Sequence, residues 1–213
     1  PDAPLDRLFF LTAKTPGRQL ALDALQQLGG AALPLRVLEL GAREKLCEHP
    51  DKLCQGDSCP LARGFYDRLP AARQACVEAR WLDHAGLRRI AAEHQVCPYY
   101  LGQELARWVD VCVGDYNHYF DSSALLHGLT LSNQWKVALL VDEAHNLVER
   151  ARRMYSAQLR GAQLAAARHA APTALKKPLE RLARQWSALQ REQGLTALRE
   201  TAASGLFETP PPV

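Results

Sequence analysis

The sequence predicts an α/β fold in which a mostly parallel sheet carries a helical, cysteine-bearing insert and precedes an all-helical C-terminal segment. Short apolar runs alternate with segments of helical periodicity, which is typical of parallel sheets. Between the second and third runs the chain is instead polar and contains clustered cysteines. Of the 213 residues, 47% are hydrophobic and 23% are charged, which excludes a wholly disordered or collagen-like chain.

Four mainly apolar runs predict strands, at residues 8–11, 35–40, 109–113 and 137–141, and the first of them is continuously apolar. Such short runs are expected of strands that are buried on both faces. Between the first two strands, leucines and alanines recur with helical spacing from Leu20 to Leu28, and Gly29-Gly30 end that helix. Further helices are predicted at residues 71–81, 82–94 and 98–108.

These patterns divide the chain into three parts. We expect residues 1–42 and 109–154 to form the sheet domain, residues 43–108 the insert, and residues 155–213 the helical segment. No apolar run approaches the roughly 18 residues of a membrane helix, so a membrane is not an expected partner. Because the chain begins Pro1-Asp2-Ala3, we expect an internal piece of a longer protein. The lack of a secretory signal pattern favours the cytoplasm.

The cysteines are the first candidate site. Cys47, Cys54 and Cys59 all belong to one segment of thirteen residues, which is polar and contains glycine and proline. A loop allows these thiolates to converge, and Cys97 is the natural fourth ligand. Thiolates are soft ligands that suit zinc or iron–sulfur clusters. The alternative is a zinc site in which His49 joins the three clustered cysteines.

Two further cysteines have a different setting. Cys76 lies in a helical run and Cys112 in an apolar strand, so we interpret both as structural.

The second candidate site follows the last predicted strand, which runs directly into Asp142-Glu143-Ala144-His145. Ligand sites of open α/β sheets form at the carboxyl ends of parallel strands. There Asp142 is expected to hold the Mg²⁺ that bridges nucleotide phosphates, and Glu143 to orient or deprotonate the attacking water. His145 is expected to report the nucleotide state to a neighbouring domain. The alternative is the solvated start of a helix, with Asp142 as its N-cap.

The Asp-Glu-Ala-His sequence after a strand resembles motif II of the superfamily 2 DEAH helicases. Together with the four-cysteine insert upstream, it resembles the XPD/DinG iron–sulfur branch of that superfamily. Other stretches of this family's pattern also match, over about residues 5–155. Residues 11–15 look like motif Ia, and residues 42–47 look like the lead-in to the first cluster ligand. Residues 97–99 and 113–121 look like the return from the cluster to the motor domain.

The resemblance implies a partial RecA-like sheet within an ATP-dependent 5′→3′ DNA helicase of repair or replication, which translocates on single-stranded or forked DNA. It implies Mg²⁺ and ATP as ligands of the whole protein. It also implies that residues 155–213 form an incomplete, arch-like helical segment. It also implies a 4Fe–4S cluster. The ligands would be Cys47, Cys54, Cys59 and Cys97. The family relation, rather than the spacing of the cysteines, favours iron–sulfur over zinc.

The resemblance also assigns DNA contacts. Thr12, Lys14 and Thr15 follow the first strand beside a helix N-terminus, where hydroxyls, an ammonium and backbone N–H groups suit a phosphate. Arg43 is expected to donate hydrogen bonds toward the cluster or to contact the DNA backbone. Bases are expected to stack on the segment after the third strand, unless half of its rings belong to the core. That segment is Tyr116, Asn117, His118, Tyr119 and Phe120.

The departures from the family pattern are equally informative. The sequence contains no Gly-x-x-x-x-Gly-Lys-Ser/Thr phosphate loop, so the chain alone is expected neither to hydrolyse ATP nor to unwind DNA. Residues 150–213 carry eleven basic and four acidic residues, a formal charge of +7, against −4 for residues 1–149. This positive segment suits phosphate contact, although a solvated basic helix face has the same composition.

Two functions of different classes remain. The first is the iron–sulfur helicase motor. The second is a non-enzymatic, metal-stabilised module that binds single-stranded DNA.

Overall fold

A computed structural model describes residues 4–29 and 34–192, and it confirms the α/β fold with a parallel sheet. Each of the four predicted strand runs contains a strand. Within the described residues a fifth strand joins them, and the order across the sheet is β3-β2-β4-β1-β5, with every neighbouring pair parallel. The strands are β1 (Arg7–Leu11), β2 (Val37–Glu39), β3 (Trp81–Leu82), β4 (Val111–Gly114) and β5 (Val137–Val141).

The fifth strand, β3, corrects one expectation, because residues 81 and 82 were predicted to be helical. Trp81 and Leu82 instead pair with Val37 and Leu38 at the edge of the sheet. The chain leaves the preceding helix at Arg80, which has a φ of 60°, and this turn allows two residues to extend before the next helix. The region between residues 43 and 108 therefore contributes a strand to the sheet as well as helices.

The described residues divide into two compact units, one ending at Ser156 and one beginning at Ala157. None of the described helices is both long and apolar enough to cross a bilayer. The helices of the first unit are α1 (Thr15–Gly29), α2 (Arg43–Leu46), α3 (Phe65–Ala79), α4 (His84–Glu93), α5 (Pro98–Leu105), α6 (Asn117–Phe120), α7 (Leu125–Asn133) and α8 (Leu147–Met154). Those of the second unit are α9 (Gly161–Ala170) and α10 (Thr173–Glu192).

The inner strands β2 and β4 are buried on both faces of the sheet, whereas the edge strand β5 is partly exposed. One face packs Leu38 and Cys112 into the larger core cluster, which includes residues of α3, α4 and α5. The other face packs Val111 and Val113 against Leu22 of α1. Cys76 and Cys112 are fully buried, and burial raises the pKa of each thiol to about 12. Both cysteines are therefore core residues, in agreement with their interpretation from the sequence.

Candidate functional site

The candidate site at Asp142 and Glu143 lies where parallel strands end at a common edge of the sheet. Thr12 follows β1 and Asp142 follows the neighbouring β5. The Thr12 hydroxyl donates a 3.0 Å hydrogen bond to Oδ2 of Asp142. Thr12 is only 1% exposed, so the expectation that its hydroxyl holds a DNA phosphate does not fit its burial. Its hydroxyl orients the Asp142 carboxylate instead.

A glycine makes room for this pair. A Cβ on Gly17 would lie 2.5 Å from Oγ1 of Thr12 and 2.7 Å from Oδ2 of Asp142, so a larger residue would displace them. The sequence reasoning missed this role. The only available signal was a glycine in the first turn of α1, directly after Pro16.

Tyr116, which follows β4, binds the backbone of the two acids. Its hydroxyl donates to the backbone carbonyl oxygens of Asp142 and Glu143, the latter at 3.0 Å. Burial raises the pKa of Tyr116, as do the nearby carboxylates of Asp142 and Glu143, so the phenol remains a donor. The ring is fully buried, and the expectation that bases stack on Tyr116 is therefore wrong. Tyr119 and Phe120 also pack against the core.

The two acids of the candidate site have different environments. Glu143 adopts the left-handed conformation, with φ 50° and ψ 43°, which costs a non-glycine residue about 1 kcal/mol. This turn leaves the Glu143 side chain 47% exposed, with Oε2 3.3 Å from Nε2 of His145. Asp142 instead accepts the hydrogen bond of the buried Thr12. One carboxylate is thus held by the fold, while the other faces solvent.

The segment after the acids is not the simple helix start that was the alternative interpretation. A 3-10 turn over Ala144–Asn146 precedes α8. Glu143, rather than Asp142, occupies the N-cap position of that turn, without a side-chain capping bond. Asp142 is therefore not an N-cap here, because its carboxylate bonds to Thr12.

An ion pair connects α8 back to β4. The Arg150 guanidinium donates to both carboxylate oxygens of Asp115, at 2.9 and 2.7 Å, and its carbon lies 5.9 Å from the centroid of the Tyr116 ring. The sequence analysis did not foresee this pair. Its members are 35 residues apart in the sequence, and Arg150 lies outside the motifs that were recognised.

Four of the predicted DNA-contacting residues are exposed, namely Lys14, Thr15, Arg43 and Asn117. Their side chains are thus accessible to a large ligand, although Thr15 also accepts a hydrogen bond from Arg18. His118 is only partly exposed. Burial lowers its pKa, with Arg18 adding to this effect and Asp115 opposing it. At neutral pH His118 is therefore a neutral hydrogen-bonding group rather than a cation.

A buried charge cluster lies beside the candidate DNA-contacting loop. Arg18 and Glu39 are less than 9% exposed, and Nε of Arg18 lies 3.6 Å from Oε1 of Glu39. The same oxygen lies 3.5 Å from Nε2 of His84, whose backbone N–H donates to the other oxygen of Glu39. Because Arg18 belongs to α1 and His84 begins α4, this cluster ties the motif Ia helix to the region between residues 43 and 108.

The four predicted cluster ligands line a single pocket, together with His49 and Tyr100. Cys47 follows the end of α2, Cys54 and Cys59 lie in the loop before α3, and Cys97 occupies the N-cap position of α5. Burial raises the pKa of Cys97, while the backbone N–H groups of Tyr99 and Tyr100 act in the opposite direction. The fold therefore brings together thiols that are up to 50 residues apart in the sequence.

The spacing of these thiols bears on which group they suit. Within the described ranges, no three His, Cys, Asp or Glu side chains converge closely enough to hold one metal ion. A tetrahedral zinc site needs sulfur atoms about 3.8 Å apart, as follows from Zn–S bonds of about 2.3 Å. A cluster of four irons separates its four thiolate ligands more widely. The four thiols around one pocket are soft ligands that suit a thiolate-bound group, with zinc as the alternative to the cluster.

A group of aromatic side chains that the sequence analysis did not single out includes Tyr100, which lines this pocket. Phe65 contacts both Tyr66 and Tyr100 edge-on, and Tyr100 contacts Tyr99. Tyr66 is 82% exposed and Tyr100 is 42% exposed. The only sequence signal was the pair of tyrosines directly after Cys97-Pro98.

The second unit presents a basic groove, which we define as the surface between α9 and α10 on one face of α10. Its residues are Arg168, His169, Lys176, Glu180, Arg184, Ser187 and Arg191. On α10 they recur at steps of three or four residues and therefore share one helical face. The described residues from 157 to 192 contain seven basic and two acidic residues, so the groove lies in a strongly positive segment.

Comparisons with known proteins agree with the fold and the motifs. The chain is 31% identical over 160 residues to a regulator of telomere elongation helicase 1 homolog of Anopheles gambiae, and 27% identical over 138 residues to the human regulator of telomere elongation helicase 1. These matches cover 68% and 59% of this chain. The chain spans only 16% of the mosquito protein and 11% of the human one.

A solved structure, described as truncated XPD, shares the fold. It matches with a TM-score of 0.52 and 14% identity, over 85% of this chain and 53% of that one. The sequence profile of the family described as DEAD_2 matches residues 18–164, which is more than half of the chain. The chain therefore belongs to the DEAD_2 family of XPD/DinG-like helicases.

Proposed function

We propose that this chain is the cluster-bearing part of an ATP-dependent 5′→3′ DNA helicase that translocates on single-stranded or forked DNA. The observation that carries the proposal is the pair of acids at the carboxyl edge of the sheet, in a member of a helicase family. Asp142 is held by Thr12, and Glu143 faces solvent. A metal ligand and a water-activating base need this difference in environment.

The proposed roles follow from these environments. Asp142, oriented by a buried hydroxyl, would hold the Mg²⁺ that bridges the nucleotide phosphates. Glu143, which is exposed and free to reorient, would position or deprotonate the attacking water. His145 pairs with Glu143 at 3.3 Å, so its proposed role is to link the state of that base to a neighbouring domain.

The four cysteines that share one pocket are proposed to hold a 4Fe–4S cluster. Cys47, Cys54, Cys59 and Cys97 would be its ligands, and the cluster would tie the loop before α3 to α5. Zinc, with His49 as a ligand, is the alternative that metal analysis decides. The cluster supplies cross-linking of these segments when it is bound, and we propose no redox step for it.

DNA would contact the exposed polar groups on this side of the fold. Lys14 and Thr15 on the loop before α1, and Arg43 at the start of α2, are proposed to contact phosphates. Asn117 and His118 would bind sugar or base edges by hydrogen bonds, since His118 is neutral at pH 7. The exposed Tyr66 and Tyr100 add faces on which bases can stack.

The decisive experiment measures DNA-stimulated ATP hydrolysis by the full-length protein, because this sequence lacks a phosphate loop and is expected to be inactive alone. Glu143→Gln should lower kcat by about 10²-fold or more, the usual contribution of a general base. The matched control is Glu104→Gln, which removes a carboxylate that pairs with Arg73. If Glu143→Gln hydrolysed ATP normally but still bound single-stranded DNA, the non-enzymatic binding module would be the better description.

A further inference from the structure

A single buried hydroxyl holds the backbone of both acids. The hydroxyl of Tyr116 reaches the carbonyl oxygens of two consecutive residues, Asp142 and Glu143. In a regular strand, consecutive carbonyls point to opposite sides of the strand, so one donor does not reach both. They share one donor here because Glu143 lies in the left-handed region, at φ 50° and ψ 43°.

We propose that Tyr116 is a positioning residue for the acidic pair: its hydroxyl maintains the left-handed turn that directs Asp142 inward and Glu143 outward. This inference rests on the proposed ATP hydrolysis and deepens it. The left-handed conformation is unfavourable for glutamate, so it persists only where surrounding contacts enforce it. Among the described contacts, the Tyr116 hydroxyl is the side-chain donor that reaches this turn's carbonyls directly.

The position of Tyr116 is itself fixed from two directions. Its ring is fully buried at the end of β4, which pairs with both β1 and β2. The preceding residue, Asp115, forms the two-pronged ion pair with Arg150 on α8. The buried ring and the helix after the acids are therefore both held at the end of β4, which keeps the hydroxyl beside the carbonyls of Asp142 and Glu143.

The same geometry joins the acids to the side of the molecule that is proposed to contact DNA. Tyr116 directly precedes α6, which begins with Asn117 and His118.

The test is Tyr116→Phe in the full-length protein, which keeps the buried ring and removes only the hydroxyl. We expect kcat for DNA-stimulated ATP hydrolysis to fall at least tenfold, while KM for ATP changes less than twofold. The thermal midpoint is measured on the same samples, because a loss of folded protein would also lower the apparent kcat at unchanged KM. The matched control is Tyr155→Phe, which removes a hydroxyl that donates to the carbonyl of Phe120 instead. It should leave kcat within twofold of the parent protein.

The outcomes separate this inference from the proposed function. If Glu143→Gln abolishes hydrolysis but Tyr116→Phe keeps kcat within twofold, the positioning role is wrong and the motor stands. If Tyr116→Phe and Tyr155→Phe lower kcat equally, in step with their thermal midpoints, the hydroxyl acts only through stability and the positioning role is again wrong. If Glu143→Gln itself has no effect, the proposed function fails first.

Discussion

The hydroxyl of Thr12 donates a 3.0 Å hydrogen bond to the carboxylate of Asp142, although 130 residues separate the two in the sequence. This bond joins the ends of β1 and β5 at the edge where the nucleotide would bind. Thr12 is only 1% exposed, so its hydroxyl is shielded from solvent. In this structure the Thr12 hydroxyl therefore supports the Asp142 carboxylate and does not face a ligand.

We therefore predict that Thr12→Val, which keeps the side-chain shape, destabilises this chain by about 1–2 kcal/mol, since the lost bond is to a charged acceptor. Urea denaturation followed by circular dichroism measures the change. Thr130→Val is the control, because its hydroxyl bonds to the Leu126 carbonyl within α7. Equal stability of the parent and Thr12→Val would mean that the bond does not form in solution.

Cys54→Ser tests the cluster. We expect the parent protein, purified without oxygen, to contain iron and sulfide in nearly equal amounts and to absorb broadly in the visible range. Loss of one thiolate should remove most of the iron and lower the thermal midpoint together, because a bound structural metal contributes to folding free energy. Elemental analysis and visible spectroscopy on the same samples measure both effects.

Cys76→Ala provides the matched control for the cysteine substitution. Cys76 is fully buried in the core and does not line the pocket, so its loss should change stability without changing iron content. A colourless parent protein with one zinc per chain would contradict the cluster and favour the site that includes His49. Full iron content in Cys54→Ser would show that the ligand set is wrong.

Sequence patterns anticipated the parts of this fold that depend on local chemistry. Mainly apolar runs predicted four strands, because strands inside a sheet need apolar side chains. The cysteine spacing predicted four thiols that share a pocket. The short strand β3 was missed, because two residues carry no periodicity and their pairing depends on the turn at Arg80.

Burial was the other property that the sequence did not reveal. Tyr116 and Thr12 have polar groups and lie in loops, so they looked like surface ligands. Both are buried because their hydroxyls find acceptors on the distant segment at Asp142. Such contacts depend on how β1, β4 and β5 are ordered in the sheet, and a single sequence does not encode that order in any local pattern.

The lowered pKa of His118 predicts a pH dependence of stability. Burial, the largest cause, favours the neutral imidazole in the folded protein. At pH values below the ordinary histidine pKa of about 6.5, the unfolded chain binds a proton more readily than the folded chain does. The stability of the folded state therefore falls as the pH drops from about 6.5 toward the lower pKa of His118 in the folded protein. Above about pH 6.5, the contribution of His118 is fully present. Urea denaturation at pH 7.5, 6.5 and 5.5 should show this decline.

The variant His118→Gln should make the decline shallower. Some slope should remain, because burial also lowers the pKa of His84 in the cluster with Glu39 and Arg18. His169→Gln, a substitution on exposed α9, serves as the control and should leave the slope unchanged. The packing of His118 against Gly114 indicates that its ring is desolvated. An identical slope in the parent and in His118→Gln would contradict this desolvation.

The basic groove of the second unit predicts an electrostatic contribution to DNA binding. The triple variant Lys176→Gln, Arg184→Gln and Arg191→Gln removes three positive charges from one face of α10. If these charges contact phosphates, affinity for single-stranded DNA should fall. The slope of log K against log salt should become shallower by about 0.7 for each lost contact, hence by about 2 for all three. Fluorescence anisotropy with an oligothymidylate at several salt concentrations measures both quantities.

The control separates a directed contact from a general effect of charge. Arg160→Gln, Lys177→Gln and Arg181→Gln together remove the same charge from residues that do not line the groove. If the groove binds a phosphate, the first triple variant should lose affinity and salt dependence, while the second should keep most of both. The reason is that salt screens charges over about 10 Å at 0.1 M, so charges outside the groove contribute little. Equal losses in the two variants would reduce the groove to an ordinary solvated basic face, and no loss in either would exclude this segment from the DNA path.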